Sequence, residues 1–379
     1  SLDLLPTITA IGSTTRQQQS VAAVPGLTRQ LPQQQYWDMG FDASWELDIY
    51  GRVARNVRAQ QAFVASAEYG LEDVSMSVMA EVARSYFELM GAQQQLAVAQ
   101  RSAETQRRIV KLTEERLAAG RGTAFDTERA KAALYLTLAV SPALEAQIAG
   151  SRERIAVLLG KTSDALPASL SAAPKLPQLP DTLYVGSPEQ LIRRRPDVQA
   201  AERQLAAETM LLGAARADYL PRLTLSARAG YLATSFDSLS RTGTSRLLIG
   251  PVLSFPLFDL ARVNQRTELV HARVDQARAE HNAAVTRALN EGQASLVAYD
   301  RAHARLAILA EAEASSARAA DLAQQRFEAG LTDLLQVLDA QRTLLEAENQ
   351  LVMGHTAAAT ALVAVYKAVG GGGGLGPVR

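Results

Sequence analysis

The chain of 379 residues sets 39 Lys plus Arg against 39 Asp plus Glu and contains no cysteine. A disulfide framework and any Cys-ligated zinc or iron–sulfur site are thereby excluded, and a formally neutral chain lacks the basic excess of a general nucleic-acid binder. Hydrophobic residues make up 47% but aromatics only 5%, a balance that favours long helices over a large compact core.

Residues 1–10, SLDLLPTITA, have neither a basic n-region nor an apolar h-region, so no signal peptide is expected there. Ile8, Ala10 and Gly12 occupy every second position and predict a strand over about 5–15. A polar loop over 16–37 follows, with glutamine runs at Gln17–Gln19 and Gln33–Gln35. The clearest strand is 38–49. Met39, Phe41, Ala43, Trp45, Leu47 and Ile49 alternate with Gly40, Asp42, Ser44, Glu46 and Asp48 in strict period two.

A proline-free helix is predicted over about 50–118, and some 70 residues would reach roughly 100 Å. Its distal part carries a heptad-like seam at Leu96, Ala99, Ala103, Gln106, Val110, Thr113 and Leu117. Gly120 then reads as a C-cap, and Thr123-x-x-Asp126 reads as a capping box opening a return helix over 124–160. Pro167, Pro174, Pro177 and Pro180 mark 161–187 as an irregular linker.

Beyond the linker a helix is predicted over 188–218 and a strand over 220–231. Leu223, Leu225, Ala227, Ala229 and Tyr231 share one face of that strand, with Thr224, Ser226 and Arg228 opposite. A polar loop over 232–245 leads to a strand over 246–258, where Pro251 and Pro256 predict bulges or a strand end. A second very long helix follows over 260–329, with a seam at Leu306, Leu309, Glu313, Ser316, Ala320, Ala323 and Phe327. Gly330 is its C-cap. Asp333-x-x-Gln336 resembles a capping box for a return helix over 333–369, and 371–379 reads as a flexible tail. The longest apolar stretch, Ala357 to Val365, is about half of what a helical membrane span needs, so none is expected.

The chain repeats itself. Residues 39–160 align with 249–370 without a gap, pairing Gly40 with Gly250, Arg52 with Arg262, Arg116 with Arg326, Gly120 with Gly330 and Gly160 with Gly370. Leu5-Pro6-Thr7-Ile8 likewise resembles Leu220-Pro221-Arg222-Leu223. The organisation is a first repeat at 1–160, a linker at 161–187 and a second repeat at 188–370. The first repeat lacks a counterpart of the 188–218 helix, so a preceding N-terminal segment is expected. The fold class is mainly α with a small β part, as tandem β-hairpins each joined to a long helical hairpin.

Four alternating strands of about 10–12 residues match the length of a membrane β-strand. One chain cannot close a wide barrel, and an open edge is untenable in lipid, so closure needs several copies. Three copies would supply 12 strands, although spacing alone does not fix the number. Motifs for chemistry are missing. His271, His281, His303 and His355 form no HExxH or other ligand pattern, and no GxSxG, Walker A or dinucleotide fingerprint occurs. No enzymatic activity is expected.

The stretches FDASWELDIYGRVARNV at 41–57, RRRPDVQAAERQL at 193–205, ADYLPRLTL at 217–225 and RFEAGLTDLLQVLDAQRTLLEAENQL at 326–351 resemble the TolC-like outer membrane factors, in the branch serving multidrug efflux. The resemblance runs over nearly the whole chain in the right order. It implies a homotrimer with a 12-stranded barrel in the outer membrane of a Gram-negative bacterium, continuous with a periplasmic α-helical barrel. Such a channel is passive. It takes small molecules from an inner-membrane pump of RND type through a periplasmic adaptor (membrane fusion protein). No cofactor is implied beyond a lipid on a cysteine preceding residue 1. A duct for secreted protein or metal ions, or a periplasmic coiled-coil scaffold, are the competing readings.

By motif matching, the resemblance implies a gate of Leu335, Asp339 and Arg342, with Arg326 tethering the closed tip. The family's second gate aspartate is Gln336 here. Spacing alone makes Asp339 and Arg342 an ordinary i,i+3 surface pair. Adaptor contact is expected at the tips, Ala119, Gly120, Ala329, Gly330, Leu331 and Thr332. Asp42, Glu46 and Asp48 are expected to line the barrel lumen, or to be a solvated face without specificity. Phe41, Trp45 and Leu47 are expected to face the membrane, Trp45 as an interfacial anchor or as core packing.

Overall fold

The computed structural model describes residues 2–18, 32–171, 176–183 and 186–371. A single 3-10 turn, Leu2–Leu4, precedes strands β1 (Thr7–Gln17) and β2 (Gln34–Leu47). Helix α1 (Arg52–Ala118) runs 67 residues, followed by α2 (Ala124–Leu138) and α3 (Ser141–Leu158). After two 3-10 turns come α4 (Pro188–Arg194), α5 (Pro196–Ala217), β3 (Arg222–Ala233) and β4 (Ser245–Ser254). Helices α6 (Leu260–Glu328) and α7 (Leu334–Ala368) complete the order.

Several expected elements differ. The return helix over 124–160 is two helices. The ring of Pro142 clashes with the carbonyl four residues earlier, and α2 ends at that residue, Leu138. The 188–218 helix breaks likewise. Pro196 forces Arg195 out of the helical region to φ −75°, ψ 120°. The glutamine runs assigned to a loop lie partly in strands, with Gln17 paired to Gln34 and Arg16 to Gln35. Ladder bonds use backbone groups, so polar side chains do not prevent them. Gln19, and with it much of the 16–37 loop, lies outside the described residues. So do Pro174 in the linker and residues 372–379 of the tail. The linker holds 3-10 turns at Ser163–Ala165 and Ala168–Ser171. Pro251 makes no bulge. It stands in register opposite Leu225 on β4, at the edge of the sheet, where a missing N–H is tolerated.

No helical membrane span was expected, yet Ala124–Leu158 and Leu334–Ala368 are long and apolar enough to cross a membrane by length and composition. Both are Ala- and Leu-rich return segments. Scattered charges interrupt the apolar run in each, which is why neither stands out as an unbroken apolar stretch.

The described chain divides into two compact units. One holds residues 1–68 and 200–283. Its sheet is an antiparallel meander in the order β1-β2-β3-β4. The helical part of this unit packs on small residues such as Ala59 and Ala207, both fully buried. The side chain of Arg55 lies where a Cβ on Gly213 would go, and its Nη1 donates to the Tyr50 carbonyl at 2.7 Å.

The other unit holds residues 69–199 and 284–371 of the described chain. Leu89, Ile155, Ala156 and Leu166 form one core cluster. Ile109, Ala130, Phe327, Leu334 and Val337 form a second. The expected seam on α6 is buried or half-buried throughout, but that on α1 drifts. Ile109 is buried, whereas Leu117 is 39% exposed. A 3.6-residue turn rotates away from a strict seven-residue repeat over successive heptads.

Buried Arg195 ties the start of α5 to α6. Its Nε and Nη2 donate to Asp197 at 2.9 and 2.7 Å, and Nη2 also meets Glu291 at 2.8 Å. Burial opposes its charge, but the hydrogen bonds to Asp197 and Glu291 outweigh this and raise its pKa. Burial likewise opposes the charge of Asp197, and the Arg195 bonds lower its pKa nonetheless.

Candidate functional site

Two regions carry the candidate residues: the sheet and the helical tips. In the sheet, cross-strand register decides which side chains share a face, because directly paired residues point the same way. Asp42 pairs with Arg228, Gly40 with Gly230, Ser44 with Ser226 and Glu46 with Thr224. Thr7 and Thr9 of β1 join this face opposite Ser44 and Asp42. The face is polar apart from residues such as Leu248 and Val252 on β4. The opposite face carries Met39, Phe41, Ala43, Trp45 and Leu47, with Leu225 opposite Trp45 and Ile249 opposite Ala227. Phe41 is 60% and Leu247 76% exposed. A contiguous exposed apolar face of this kind marks an interaction surface.

The polar face holds its charges in pairs. Arg228 donates to both Asp42 oxygens, from Nε at 2.7 Å and Nη2 at 2.8 Å. Arg246 reaches past the side-chain-free Gly230 to Asp38, with Nη2 at 2.7 Å from both oxygens. Glu46 receives the Nε of Arg52 at 2.9 Å. Asp48 lies beyond the end of β2 and serves the helix. Its two oxygens accept the Val53 and Ala54 N–H groups at 3.0 and 2.7 Å. That caps orphan donors at the positive end of the α1 dipole. Trp45 donates its Nε1 to the Leu4 carbonyl at 3.0 Å. Sequence reasoning missed Arg228 and Arg246 as partners of the aspartates. An arginine in an alternating strand was visible, but its opposite number is set by register.

The tips follow one recipe twice. Arg121 N donates to the Arg116 carbonyl and Gly120 N to that of Leu117, and Leu331 and Gly330 repeat the pattern with Arg326 and Phe327. These are Schellman motifs, which need a left-handed residue. Gly120 and Gly330 supply it at φ 70° and 76°. Thr123 and Asp126 form the expected capping box on α2. On α7 only half of the expected box forms. Asp333 accepts the Gln336 N–H at 3.1 Å, but the Gln336 side chain accepts from the Thr332 hydroxyl instead. Ala119, Gly120, Ala329, Gly330 and Leu331 are exposed, and Thr332 is half-buried.

Leu335, Asp339 and Arg342 lie at i, i+4 and i+7 on one exposed face of α7, while Leu334 and Val337 bury the other. All three line an open groove of ≈ 570 Å³ whose other wall carries Arg129, Leu136 and Thr137 of α2. Arg342 Nη2 stands 3.3 Å from Asp339, with side chains 82% and 64% exposed. Such a pair is worth at most a few tenths of a kcal/mol in isolation. Arg326 makes no side-chain hydrogen bond or ion pair among the described residues. Its counterpart in the first repeat, Arg116, does. Arg116 Nη2 donates to the Phe327 carbonyl at 2.8 Å and its guanidinium sits 4.0 Å over the Phe327 ring. The swap follows from the repeat: position 327 is Phe, whereas its equivalent 117 is Leu and offers no π face.

The outer membrane efflux protein family model matches residues 2–161 and 187–371. Outer membrane protein OprJ of Pseudomonas aeruginosa is 32% identical over 331 residues, covering 86% of this chain and 68% of its own length. The toluene efflux pump outer membrane protein TtgF of Pseudomonas putida is 28% identical over 340 residues, covering 89% and 70%. The solved structure of the outer-membrane channel OprN superposes with a TM-score of 0.89 at 34% identity, covering 98% of this chain and 82% of that one. Such neighbours are trimeric channels that combine a β-barrel with a helical barrel, and they reach from the outer membrane into the periplasm. This chain therefore belongs to the outer membrane efflux protein family and is the outer membrane channel component of an efflux system.

Proposed function

We propose that three copies of this chain close a 12-stranded barrel and form a passive exit duct for small molecules, fed by a periplasmic adaptor and an inner-membrane pump of RND type. The observation that carries the reading is the two-faced sheet. One face is apolar and exposed, the other charged and paired, and both β1 and β4 are edges within the described sheet. In lipid an open edge leaves backbone groups unsatisfied, so β4 of one copy must meet β1 of the next. The apolar face then meets lipid and the Asp42–Glu46 face lines the bore. The name of TtgF as a toluene efflux component supports a small-molecule cargo.

The gate in this reading is the α7 face of Leu335, Asp339 and Arg342, and the tips around Gly120 and Gly330 meet the adaptor. Arg116 takes the tethering role assigned by motif to Arg326. Native mass measurement in mild detergent should give a trimer, and the purified chain should produce conductance steps in planar bilayers. A monomer without conductance would overturn the duct. Asp339→Ala with Arg342→Ala should raise single-channel conductance; a trimer of unchanged conductance would remove those residues from the gate.

A further inference from the structure

The charged face of the sheet carries an inference about what the bore lets through, and it rests on the duct reading above. Every charged side chain that the described strands place on that face has an opposite partner. Asp42 is matched by Arg228, Asp38 by Arg246, Glu46 by Arg52, and Arg222 by Asp218 at 2.6 Å. The remaining strand charge, Arg16, pairs in register with Gln35 and so lies on the other face. The pairing is not a by-product of the repeat. Leu248 and Val252 of the second repeat stand where Asp38 and Asp42 stand in the first. In the two cross-strand pairs the carboxylates, Asp38 and Asp42, thus come from β2 and the matching guanidiniums from β3 and β4. Gly230, directly opposite Arg246, carries no side chain, and Leu232 stands opposite Asp38.

We propose that Arg228 and Arg246 determine the ionic character of the barrel bore by neutralising Asp42 and Asp38. In a symmetric trimer each aspartate recurs three times at one level. Left bare, each set is a ring of negative charge that concentrates cations and repels anions within a Debye length. Clamped by fork-shaped guanidiniums, the same levels carry paired charge and no net field, so cargo of either sign passes. Arginine suits this role because its guanidinium keeps its charge and its fork matches a carboxylate.

The chain has no cysteine, so one introduced thiol is unique. Ser44 is exposed on the charged face between Asp42 and Glu46, and Ala43 is on the apolar face. The full chain carrying Ser44→Cys, reconstituted in liposomes, is reacted with a cationic and an anionic methanethiosulfonate, and the ratio of the two rates is read. Adding Arg228→Gln should raise the cation-to-anion ratio roughly three- to tenfold, by unmasking like charge in a narrow bore. Adding Asp42→Asn to that variant should restore the original ratio, which a merely structural role would not do. An unchanged ratio in an assembled Arg228→Gln channel overturns the proposal. If Ala43→Cys reacts with both reagents and Ser44→Cys with neither, the duct reading itself fails. Should Arg228→Gln not assemble, Arg246→Gln with Asp38→Asn as its rescue makes the same test. If no arginine variant assembles, with or without its rescue, the arginines are structural and the proposal falls.

Discussion

The guanidinium of Arg116 lies 4.0 Å above the ring of Phe327 and donates a 2.8 Å hydrogen bond to the carbonyl of the same residue. One side chain at the end of α1 therefore grips the last turn of α6, joining the two helical hairpins next to the core of Ile109, Leu334 and Val337. A cation–π contact and a charge-assisted hydrogen bond together supply about 1–3 kcal/mol.

Removing that grip should loosen the tips. Arg116→Ala is expected to give larger or more frequent open-channel currents in planar bilayers, while Arg326→Ala, which loses no partner, leaves them near the original level. Identical currents from the two variants would show that the Phe327 contact does not hold the tip closed.

The sheet depends on one close approach. A Cβ on Gly40 would stand 2.3 Å from the Ala229 carbonyl oxygen, and one on Gly230 equally close to that of Met39. Both obstacles are backbone and cannot swing aside. Gly40→Ala should therefore spread β2 from β3 and sharply reduce assembled trimer in the outer membrane. Gly12→Ala, with open space around its Cβ, should assemble normally. Equal trimer yields on semi-native gels would argue against this account.

Asp73 offers a pH-dependent check. Burial raises its pKa above the ordinary carboxylate value, and the nearby Asp197 charge adds to the effect. A carboxyl whose folded pKa is raised carries a penalty when ionised. The penalty is complete above the folded pKa and vanishes below the unfolded one of about 3.9. Asp73→Asn should therefore raise Tm at neutral pH, and the gain should shrink as pH falls into the raised carboxylate range. A gain that stays constant down to acidic pH would mean that something other than ionisation is responsible.

Elements whose signals are local could be read directly from the residues. The alternation from Met39 to Leu47 and the Gly120 and Gly330 caps lie within short windows, because side-chain period and left-handed φ are properties of a few successive residues, and the internal repeat needs only the sequence compared with itself. The helix breaks at Pro142 and Pro196 are local signals as well, since each proline acts on its near neighbours only. Two kinds of fact depended on the folded chain. Strand register put Arg228 over Asp42 and let Arg246 reach Asp38, although some 190 to 210 positions separate the partners in each pair. Helix packing chose Arg116 over Arg326 as the clasp, because only one of two equivalent arginines finds an aromatic ring across the interface. Periodicity says which way a side chain points from its own backbone. What it meets there is settled by chain segments that no short window contains.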